Sequence, residues 1–155
     1  MKTLIVYFTK TGHTLEAVNA TAKGIKEAGS TADIIEITDF KPAILTNYDG
    51  LIIGSPCWMG GLTTNGVPKP VTRTLESLPE HSLHTIRCGA ISVYGGKGGE
   101  TTVKTVGDLL DSKGCTDFRE GPASKAGTPL SLAKGQSVSA EDLERCRLYG
   151  SRFVE

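Results

Sequence analysis

The chain has 155 residues, of which 38% are hydrophobic, 6% are aromatic and 19 are glycines. This length predicts a single α/β domain over residues 1–155 that can bury its own core. Seventeen basic and seventeen acidic residues cancel, which argues against nucleic acid or a membrane surface as the partner. No apolar run is long enough for a membrane span, and the four cysteines are widely spaced. We therefore expect a cytoplasmic protein with reduced thiols and no metal site.

The first half of the chain alternates predicted strands with a predicted helix. A continuous apolar, β-branched run at 3–8 indicates a strand that is covered on both faces. Apolar residues at helical spacing then predict a helix, which is expected to end at Gly29. These apolar residues are Leu15, Val18, Ala22 and Ile25. Further strands are predicted at 32–37 and 50–55.

The second half continues the alternation. A short helix is predicted around Val71, Leu75 and Leu78, followed by a strand at 88–94. The next helix presents Val103, Val106, Leu109 and Leu110 on one face and ends at Gly114. A weak fifth strand is predicted at 115–120, and an irregular connection at 121–138. Ser139 is predicted to cap the last helix, with Asp142 in its third position and with Leu143, Cys146 and Phe153 facing the core.

Strands that alternate with helices in this way predict a parallel sheet with helices on both faces. In such sheets, ligands bind beyond the carboxyl ends of the strands. Three unusual loops fall at those ends, at 9–14, 55–66 and 94–99. We therefore expect one binding site that is built from all three loops.

The loop at 9–14 is suited to a phosphate group. It leads into a helix N-terminus, which offers unpaired N–H groups and the positive end of the helix dipole. Thr9, Thr11 and Thr14 add hydroxyl donors, Gly12 allows close backbone approach, and Lys10 adds positive charge. Neither a Walker A motif nor a G-x-G-x-x-G motif is present. The alternative is that the threonines only cap the helix.

The other two loops carry aromatic residues and glycines. Trp58 and Tyr94 could hold a flat ring between them, and glycines allow backbone groups to reach the edge of that ring. Together with the phosphate turn, these features indicate a phosphorylated planar cofactor. The alternatives are that Trp58 is a core residue at the rim and that Cys57 is packed instead of being reactive. His13 is predicted to be a solvent-facing turn residue; the alternative is that it responds to pH beside the phosphate.

Three segments resemble the three ligand-binding loops of flavodoxins and flavodoxin-like domains, in the same order. They are YFTKTGHT at 7–14, YDGLIIGSPCWMGG at 48–61 and ISVYGGKGGE at 91–100. The resemblance implies a doubly wound three-layer α/β sandwich with a five-stranded parallel sheet in the order 2-1-3-4-5. It also implies that FMN is the cofactor.

The resemblance also implies roles for individual residues. The phosphate would lie on Thr9, Lys10, Thr11, Gly12, His13 and Thr14. The flavin ring would contact Pro56, Cys57, Trp58, Met59, Gly60 and Gly61 from one loop, and Ser92, Val93, Tyr94, Gly95, Gly96, Gly98 and Gly99 from the other. Trp58 would cover one ring face and Tyr94 the other, and the peptide at Gly60 or Gly61 would meet flavin N5. No residue is expected to act as an acid or base.

The resemblance favours an FMN-dependent electron carrier, which works between redox protein partners as a monomer or weak dimer. The alternative within the same fold is an FMN-dependent NAD(P)H or quinone reductase, for which the glycine-rich loop after Trp58 would form the substrate rim. The chain departs from acidic flavodoxins in its neutral overall charge. We expect Lys97, in the third loop, to favour the fully reduced, anionic flavin. The alternative is that water and salt screen this lysine.

Overall fold

The structure is a computed structural model, and it describes residues 1–58, 64–128 and 135–155. Five parallel strands form one sheet. They are β1 (Lys2–Tyr7), β2 (Thr31–Glu36), β3 (Gly50–Cys57), β4 (Arg87–Tyr94) and β5 (Phe118–Lys125). Their order in the sheet is β2-β1-β3-β4-β5, which confirms the predicted order.

Helices cover both faces of the sheet. They are α1 (His13–Glu27), α2 (Lys69–Glu76), α3 (Gly99–Asp111) and α4 (Ala140–Phe153). Residues of α1 and α4 share one apolar cluster, and residues of α2 and α3 share the other. Short 3-10 turns lie at Ile37–Asp39, Pro42–Asn47 and Thr64–Gly66. Among the described residues, no helix combines the length and the hydropathy that a bilayer crossing requires.

The central strand β3 is buried along its whole length, which explains its continuous apolar sequence. Its register aligns the carboxyl ends of the neighbouring strands. Tyr7 at the end of β1 pairs with Gly54, and Tyr94 at the end of β4 pairs with Cys57. Tyr94 in turn pairs with Lys125 at the end of β5. The residues that follow these strands therefore meet at one edge of the sheet.

The predicted bounds of the fifth strand are wrong. The strand was predicted at 115–120, whereas β5 runs over Phe118–Lys125 and pairs with β4. Gly121 and Pro122 conceal it in the sequence, because both residues are rare inside strands. An edge strand tolerates a proline, and the register shifts between Ala90 and Ser92. The irregular connection therefore begins at 126 and not at 121.

Two smaller differences concern element ends. Strand β3 continues to Cys57, so Pro56 and Cys57 belong to the strand and not to the following loop. Helix α2 ends at Glu76, and Leu78 is buried just beyond it. The predicted cap of the last helix is confirmed, since the backbone N–H of Asp142 donates to Ser139 Oγ at 3.1 Å.

Helices α1 and α4 pack with their backbones in close approach. A Cβ atom added at Gly24 would overlap the carbonyl group of Arg147, and one added at Gly150 would overlap the carbonyl oxygen of Thr21. Glycine at these two positions therefore sets the distance between the helices.

Candidate functional site

A narrow cavity lies at the carboxyl edge of the sheet, where the sequence predicted the ligand site. Its volume is about 20 Å³, which corresponds to the space of roughly one water molecule. Segments that follow β1, β3, β4 and β5 all contribute to its wall. The lining residues are Thr9, Lys10, Thr11, His13, Thr14, Pro56, Trp58, Val93, Gly95, Ala126, Gly127 and Thr128.

The turn before α1 leaves the helix end without a side-chain cap. Gly12 is the N-cap residue, with φ 94° and ψ −8°, and no side chain accepts a capping hydrogen bond there. The Thr9 hydroxyl instead accepts a hydrogen bond from the N–H of Gly12 at 2.9 Å. The alternative that the threonines only cap the helix is therefore wrong. The positive end of α1 adjoins the cavity, an arrangement that favours an anion.

His13 is buried and not solvent-facing as predicted, since only 4% of it is exposed. Its Nδ1 lies 2.7 Å from Oε2 of Glu16, one turn along the helix. The same carboxylate oxygen accepts a hydrogen bond from the N–H of Val138 at 3.4 Å. Burial by itself would raise the pKa of Glu16, but hydrogen bonds from His13, the Val138 N–H and the Ser137 hydroxyl outweigh it and lower the pKa. Glu16 is therefore a carboxylate at neutral pH.

Trp58 lines the cavity and is fixed from its other sides. Its ring meets Phe8 edge-on, with centroids 5.5 Å apart and an interplanar angle of 64°. Lys10 Nζ lies 5.8 Å from the ring centroid, and the backbone N–H of Trp58 donates to the carbonyl of Gly66 at 2.9 Å. The sequence left open whether Trp58 is a core residue at the rim or contacts a ligand. Both descriptions apply, because Trp58 packs on Phe8 and also lines the cavity.

Tyr94 does not line the cavity, although Val93 and Gly95 on either side of it do. A Cβ atom added at Gly99 would overlap the ring of Tyr94 and would lie 2.8 Å from Cβ of Ala123. The tyrosine ring therefore packs over the start of α3. Strand alternation explains this position, since neighbouring side chains point to opposite faces of a sheet. That Tyr94 covers the face of a flat ring opposite Trp58 stays a prediction.

Ser92 is fully buried on β4, and its hydroxyl has no hydrogen-bond partner within the described part of the chain. It does not line the cavity. The predicted contacts of Met59, Gly60 and Gly61 fall outside the described residues. Gly96 and Gly98 follow Tyr94 in the loop before α3, and Gly98 is the N-cap of that helix, with φ 93°.

Two hydrogen bonds link the end of β3 and the segment after it to the third loop and the first turn of α3. The Cys57 thiol donates to the carbonyl of Lys97 at 3.4 Å, and the Thr102 hydroxyl donates to the carbonyl of Asn65 at 2.9 Å. Cys57 is only 5% exposed, which favours packing over a reactive role. The two regions are thereby held in a fixed relation beside Trp58.

The connection between β5 and α4 forms one wall of the cavity that was not predicted from the sequence. Ala126, Gly127 and Thr128 line the cavity. The N–H of Gly127 donates to the carbonyl of Gln136 at 2.6 Å, in an isolated antiparallel bridge. Val138 at the end of the connection is buried in the cluster of α1 and α4. No motif marks this connection, so the sequence carries no signal for its role.

No three metal-binding side chains of His, Cys, Asp or Glu come together anywhere in 1–58, 64–128 or 135–155. The groups at the cavity are instead hydroxyls, backbone N–H groups, an ammonium, an imidazole and an indole ring. Such a set can bind an anion next to a flat apolar group.

No protein-family model matches the chain. Among curated proteins, it is similar to an NAD(P)H dehydrogenase (quinone) from Rhodopseudomonas palustris, with 30% identity over 83 residues. A second protein of that name, from Bradyrhizobium diazoefficiens, is 32% identical over 74 residues. These alignments include 41% and 35% of this chain. They span only 42% and 37% of the two relatives.

Solved structures resemble the chain over nearly its whole length. Oxidised Flavodoxin 1 from Bacillus cereus superposes with a TM-score of 0.77 and 22% identity, covering 99% of this chain and 97% of that one. A flavodoxin from the domain Archaea has a TM-score of 0.75 and 18% identity, covering 99% and 96%. The flavodiiron protein from Giardia intestinalis matches at 0.70 and 14%, covering 98% of this chain and 35% of that one. Together with the strand order, these likenesses establish that the chain has the flavodoxin-like fold.

Proposed function

We propose that this chain is a single FMN-binding domain that carries electrons between redox protein partners. The observation that carries the proposal is the N-terminus of α1. It begins without a side-chain cap, follows a turn of threonines and adjoins a cavity at the carboxyl edge of the sheet. Helix ends of this kind bind phosphate. The likeness to flavodoxins of known structure supports the same reading.

The groups that line the cavity match the chemistry of the two ends of FMN, and the cavity would have to widen beyond its present volume of about 20 Å³ to admit FMN. The phosphate would bind the hydroxyls of Thr9, Thr11 and Thr14 and the N–H groups of the turn, with Lys10 adding positive charge. The flavin ring would lie against Trp58, whose indole is already fixed by Phe8. A side chain that is already fixed loses little further conformational freedom when a flat ring stacks on it.

Bound FMN would supply the redox chemistry, because it accepts electrons singly or in pairs. The protein would bind the phosphate, orient the ring and limit the access of water. No cavity-lining side chain is placed as a proton donor or acceptor in this proposal. Partner proteins would approach the carboxyl edge of the sheet, where the candidate site lies. The neutral overall charge means that an acidic docking patch is not required.

The second candidate is an FMN-dependent NAD(P)H or quinone reductase. The observation that favours it is the position of Tyr94, which does not line the cavity and whose ring packs on Gly99. A flavin face that Tyr94 does not cover would be open to a stacking substrate. The similarity to NAD(P)H dehydrogenases (quinone) agrees with this candidate, over less than half of each chain.

An absorption spectrum of the purified protein, recorded during stepwise reduction, separates the candidates. An electron carrier should be yellow, should pass through a stable one-electron-reduced flavin and should not react with NAD(P)H. A reductase should instead be bleached directly by NAD(P)H, in a single two-electron step. A colourless protein that takes up no added FMN would contradict both candidates.

A further inference from the structure

We propose that the carboxyl edge of the sheet is a positively charged docking face, and that the redox protein which binds there presents an acidic surface. Lys69, Lys97 and Lys125 define this docking face. The inference rests on the proposed function, because it takes the carboxyl edge as the place where electrons pass to a partner. It goes further than that function by naming the chemistry of the partner's surface.

Positive charge is concentrated in the segments that contribute to the wall of the candidate site. Four segments run from the end of a strand to the first residue of the next helix at this edge, at 7–13, 57–69, 94–99 and 125–140. They contain five lysines and no aspartate, glutamate or arginine. The whole chain carries no net charge, so the rest of it has five more acidic than basic residues. A chain that is neutral overall is therefore positive at this edge.

The lysines of these segments are available to a partner. Four of the five are exposed and take part in no ion pair within the described residues; they are Lys10, Lys69, Lys97 and Lys125. The fifth, Lys134, lies outside the described residues. The segments that the structure does not describe, 59–63 and 129–134, contain no acidic residue. By contrast, four arginines elsewhere in the chain contact carboxylates.

Lys125 points toward the side of the sheet that α3 covers. It is the last residue of β5, and the preceding Ser124 is buried with its hydroxyl 3.6 Å from the thiol of Cys146 in α4. Because neighbouring side chains of a strand point to opposite faces, Lys125 extends from the other face. Ala123 is on that same face and lies close to Gly99, the first residue of α3. Lys125 is therefore at the carboxyl edge, on the side where α3 begins.

Hydrogen bonds place Lys97 and Lys69 on the same side of the edge. The carbonyl of Lys97 accepts from the Cys57 thiol at 3.4 Å, which holds the loop before α3 at the end of β3. Lys69 is the first residue of α2. The segment before it is linked to α3, because the Thr102 hydroxyl donates to the carbonyl of Asn65 at 2.9 Å. The three lysines of the docking face therefore all lie where α2 and α3 begin.

Most acidic residues of the carboxyl edge lie away from the docking face. Glu100 is the acidic residue in the first turn of α3, and α2 has none in its first turn. Further acidic residues lie in the first turns of α1 and α4, which cover the other face of the sheet. Glu36 and Asp39 lie at and after the end of β2, which is the outermost strand beyond β1. Three lysines against Glu100 leave the docking face positive.

Lys10 belongs to the candidate site and not to the docking face. It lines the cavity, and its ammonium lies 5.8 Å from the centroid of the Trp58 ring. Bound FMN would bring a phosphate with a charge of about −1.5 to −2, which would offset the charge of Lys10. The three lysines of the docking face do not line the cavity. Their charge would therefore stay available to a partner after FMN has bound.

Charge of this kind acts on how fast a partner associates. A positive face attracts an acidic surface and repels a basic one, which changes association rates by about tenfold or more at low salt. Because the chain has no net charge, such a preference must come from the local arrangement of its charges. Salt screens exposed charges, so the preference should disappear as the ionic strength rises.

The experiment compares two forms of one electron acceptor. Cytochrome c has a basic surface, and succinylation of its lysines makes that surface acidic while the haem stays the same. Stopped-flow mixing measures how fast the chemically reduced, FMN-loaded protein passes one electron to each ferric haem, which becomes ferrous. The quantity compared is the ratio of the two rate constants, acidic form over basic form. A substitution that alters the flavin potential changes both rates alike, so its effect cancels in the ratio.

We expect a ratio of at least about ten at roughly 0.01 M salt, where the screening length is about 30 Å. The ratio should approach one at about 1 M salt. Lys97→Gln and Lys125→Gln should each lower the low-salt ratio by roughly 1.5-fold to fivefold, as for loss of one exposed charge pair. Lys26→Gln is the matched control, because Lys26 is an exposed lysine in the last turn of α1, at the opposite edge. Its ratio should equal that of wild type.

A second measurement does not depend on electron transfer. Sedimentation of the flavin-free protein with each cytochrome, followed at the haem absorbance, should show tighter binding of the succinylated form at low salt. A protein that takes up no FMN would contradict the proposed function, and sedimentation would still test the docking face. Circular dichroism checks that each variant is folded.

Two results would overturn the inference. One is a low-salt ratio of one or less, together with no preference for the succinylated form in sedimentation. The other is a ratio that Lys97→Gln and Lys125→Gln leave as unchanged as Lys26→Gln does, which would mean that the preference arises elsewhere on the surface.

Discussion

Helices α1 and α4 begin at the same edge of the sheet and pack on the same face, yet their N-termini differ. Helix α4 is capped by Ser139, which accepts from the Asp142 N–H at 3.1 Å, and two acidic residues lie in its first turn. Helix α1 follows Gly12 and has no side-chain cap. A helix end that serves only the fold satisfies its own N–H donors, whereas α1 leaves donors beside a cavity. The N-terminus of α4 therefore serves the fold, whereas the N-terminus of α1 is available to a ligand.

Helix α3 extends the comparison to the other face of the sheet. Its N-cap is Gly98 with φ 93°, and it also lacks a side-chain cap. Gly12 has nearly the same φ of 94°. Helix α2 also lacks a side-chain cap, with Pro68 as its N-cap. All three uncapped helices follow loops that the sequence predicted as binding loops, whereas α4 follows the connection that it predicted as irregular.

The largest effect should come from breaking the contact that the two compared helices share. Gly150→Ala would place a Cβ against the Thr21 carbonyl, so α1 and α4 must move apart. We expect the free energy of unfolding to fall by about 3 kcal/mol, as in severe overpacking. Urea denaturation measures this change. Arg152→Ala, at an exposed position near the end of the same helix, should change stability by less than about 0.5 kcal/mol.

Substituting Gly12 tests the uncapped end directly. No atom lies within 4 Å of a Cβ built there, so Gly12→Ala acts through its positive φ alone. Left-handed backbone costs a non-glycine residue about 1–2 kcal/mol, and the turn should relax away from its present shape. We expect this loss of stability together with FMN binding that is at least about tenfold weaker, since several N–H contacts depend on the turn.

Gly29→Ala is a matched control for the Gly12 substitution. Gly29 has φ 82° and also has no atom within 4 Å of an added Cβ, but it lies after the opposite end of α1. It should lose similar stability and keep full FMN affinity. Equal losses of FMN affinity in both variants would mean that strain anywhere in α1 weakens the site, and the turn would have no special role.

A substitution at the capped N-terminus of α4 should lower stability without changing FMN affinity. Ser139→Ala removes the acceptor for the Asp142 N–H, which should cost about 1 kcal/mol of stability. Its FMN affinity should be unchanged, because the described contacts of Ser139 lie within α4. Ser139→Asp should retain most of the stability, since aspartate is an equally good cap. A Ser139→Ala protein that binds FMN poorly would contradict the prediction that the N-terminus of α4 takes no part in FMN binding.

A smaller effect concerns the pH dependence of stability. Folding lowers the pKa of Glu16 below its ordinary value of 4.5. Its contribution is therefore fully present above pH 4.5 and is lost as the pH falls through the lower, folded pKa. Glu16→Gln should reduce stability at neutral pH by less than about 1 kcal/mol, because the side chain is about one-third exposed. The difference from wild type should shrink in acid, which urea denaturation at a series of pH values would measure; a difference that is the same at all pH values would contradict this.

The smallest effect is expected at the third loop. Lys97→Glu should lower the potential at which bound FMN takes its second electron, because negative charge disfavours the anionic reduced flavin. Lys97 is exposed, so salt should screen the effect, and the equilibrium constant should change by less than about tenfold. A redox titration at low and high ionic strength would detect it. A potential that does not move at low ionic strength would contradict the prediction.

Much of the fold was predictable because its signals are local. The apolar runs of β1 and β3 and the helical spacing of α1 appear in the sequence itself. The fifth strand was misplaced because an edge strand needs no continuous apolar run and can include Gly121 and Pro122. Its pairing with β4 is a contact over a long sequence separation, which no local pattern encodes.

The site was predictable to a similar degree. Thr9, Thr11, Thr14 and Trp58 line the cavity, as their positions after the first and third strands predicted. Tyr94 does not, because strand alternation turns its ring toward α3. His13 could not be foreseen as buried, since its environment depends on the distant Val138 segment and on its pairing with Glu16.

The sequence by itself determined the strand–helix alternation, the edge of the sheet where a ligand would bind, and the chemical groups of the phosphate turn. These follow from periodicity and from chain order, which are properties of neighbouring residues. Only the tertiary structure decided which side chains share the cavity, that the β5–α4 connection forms one of its walls, and that His13 is buried against a carboxylate. Those outcomes depend on register and on packing between segments that are far apart in the chain. Such packing decides which side chains are buried, and burial in turn changes the pKa of a titratable group.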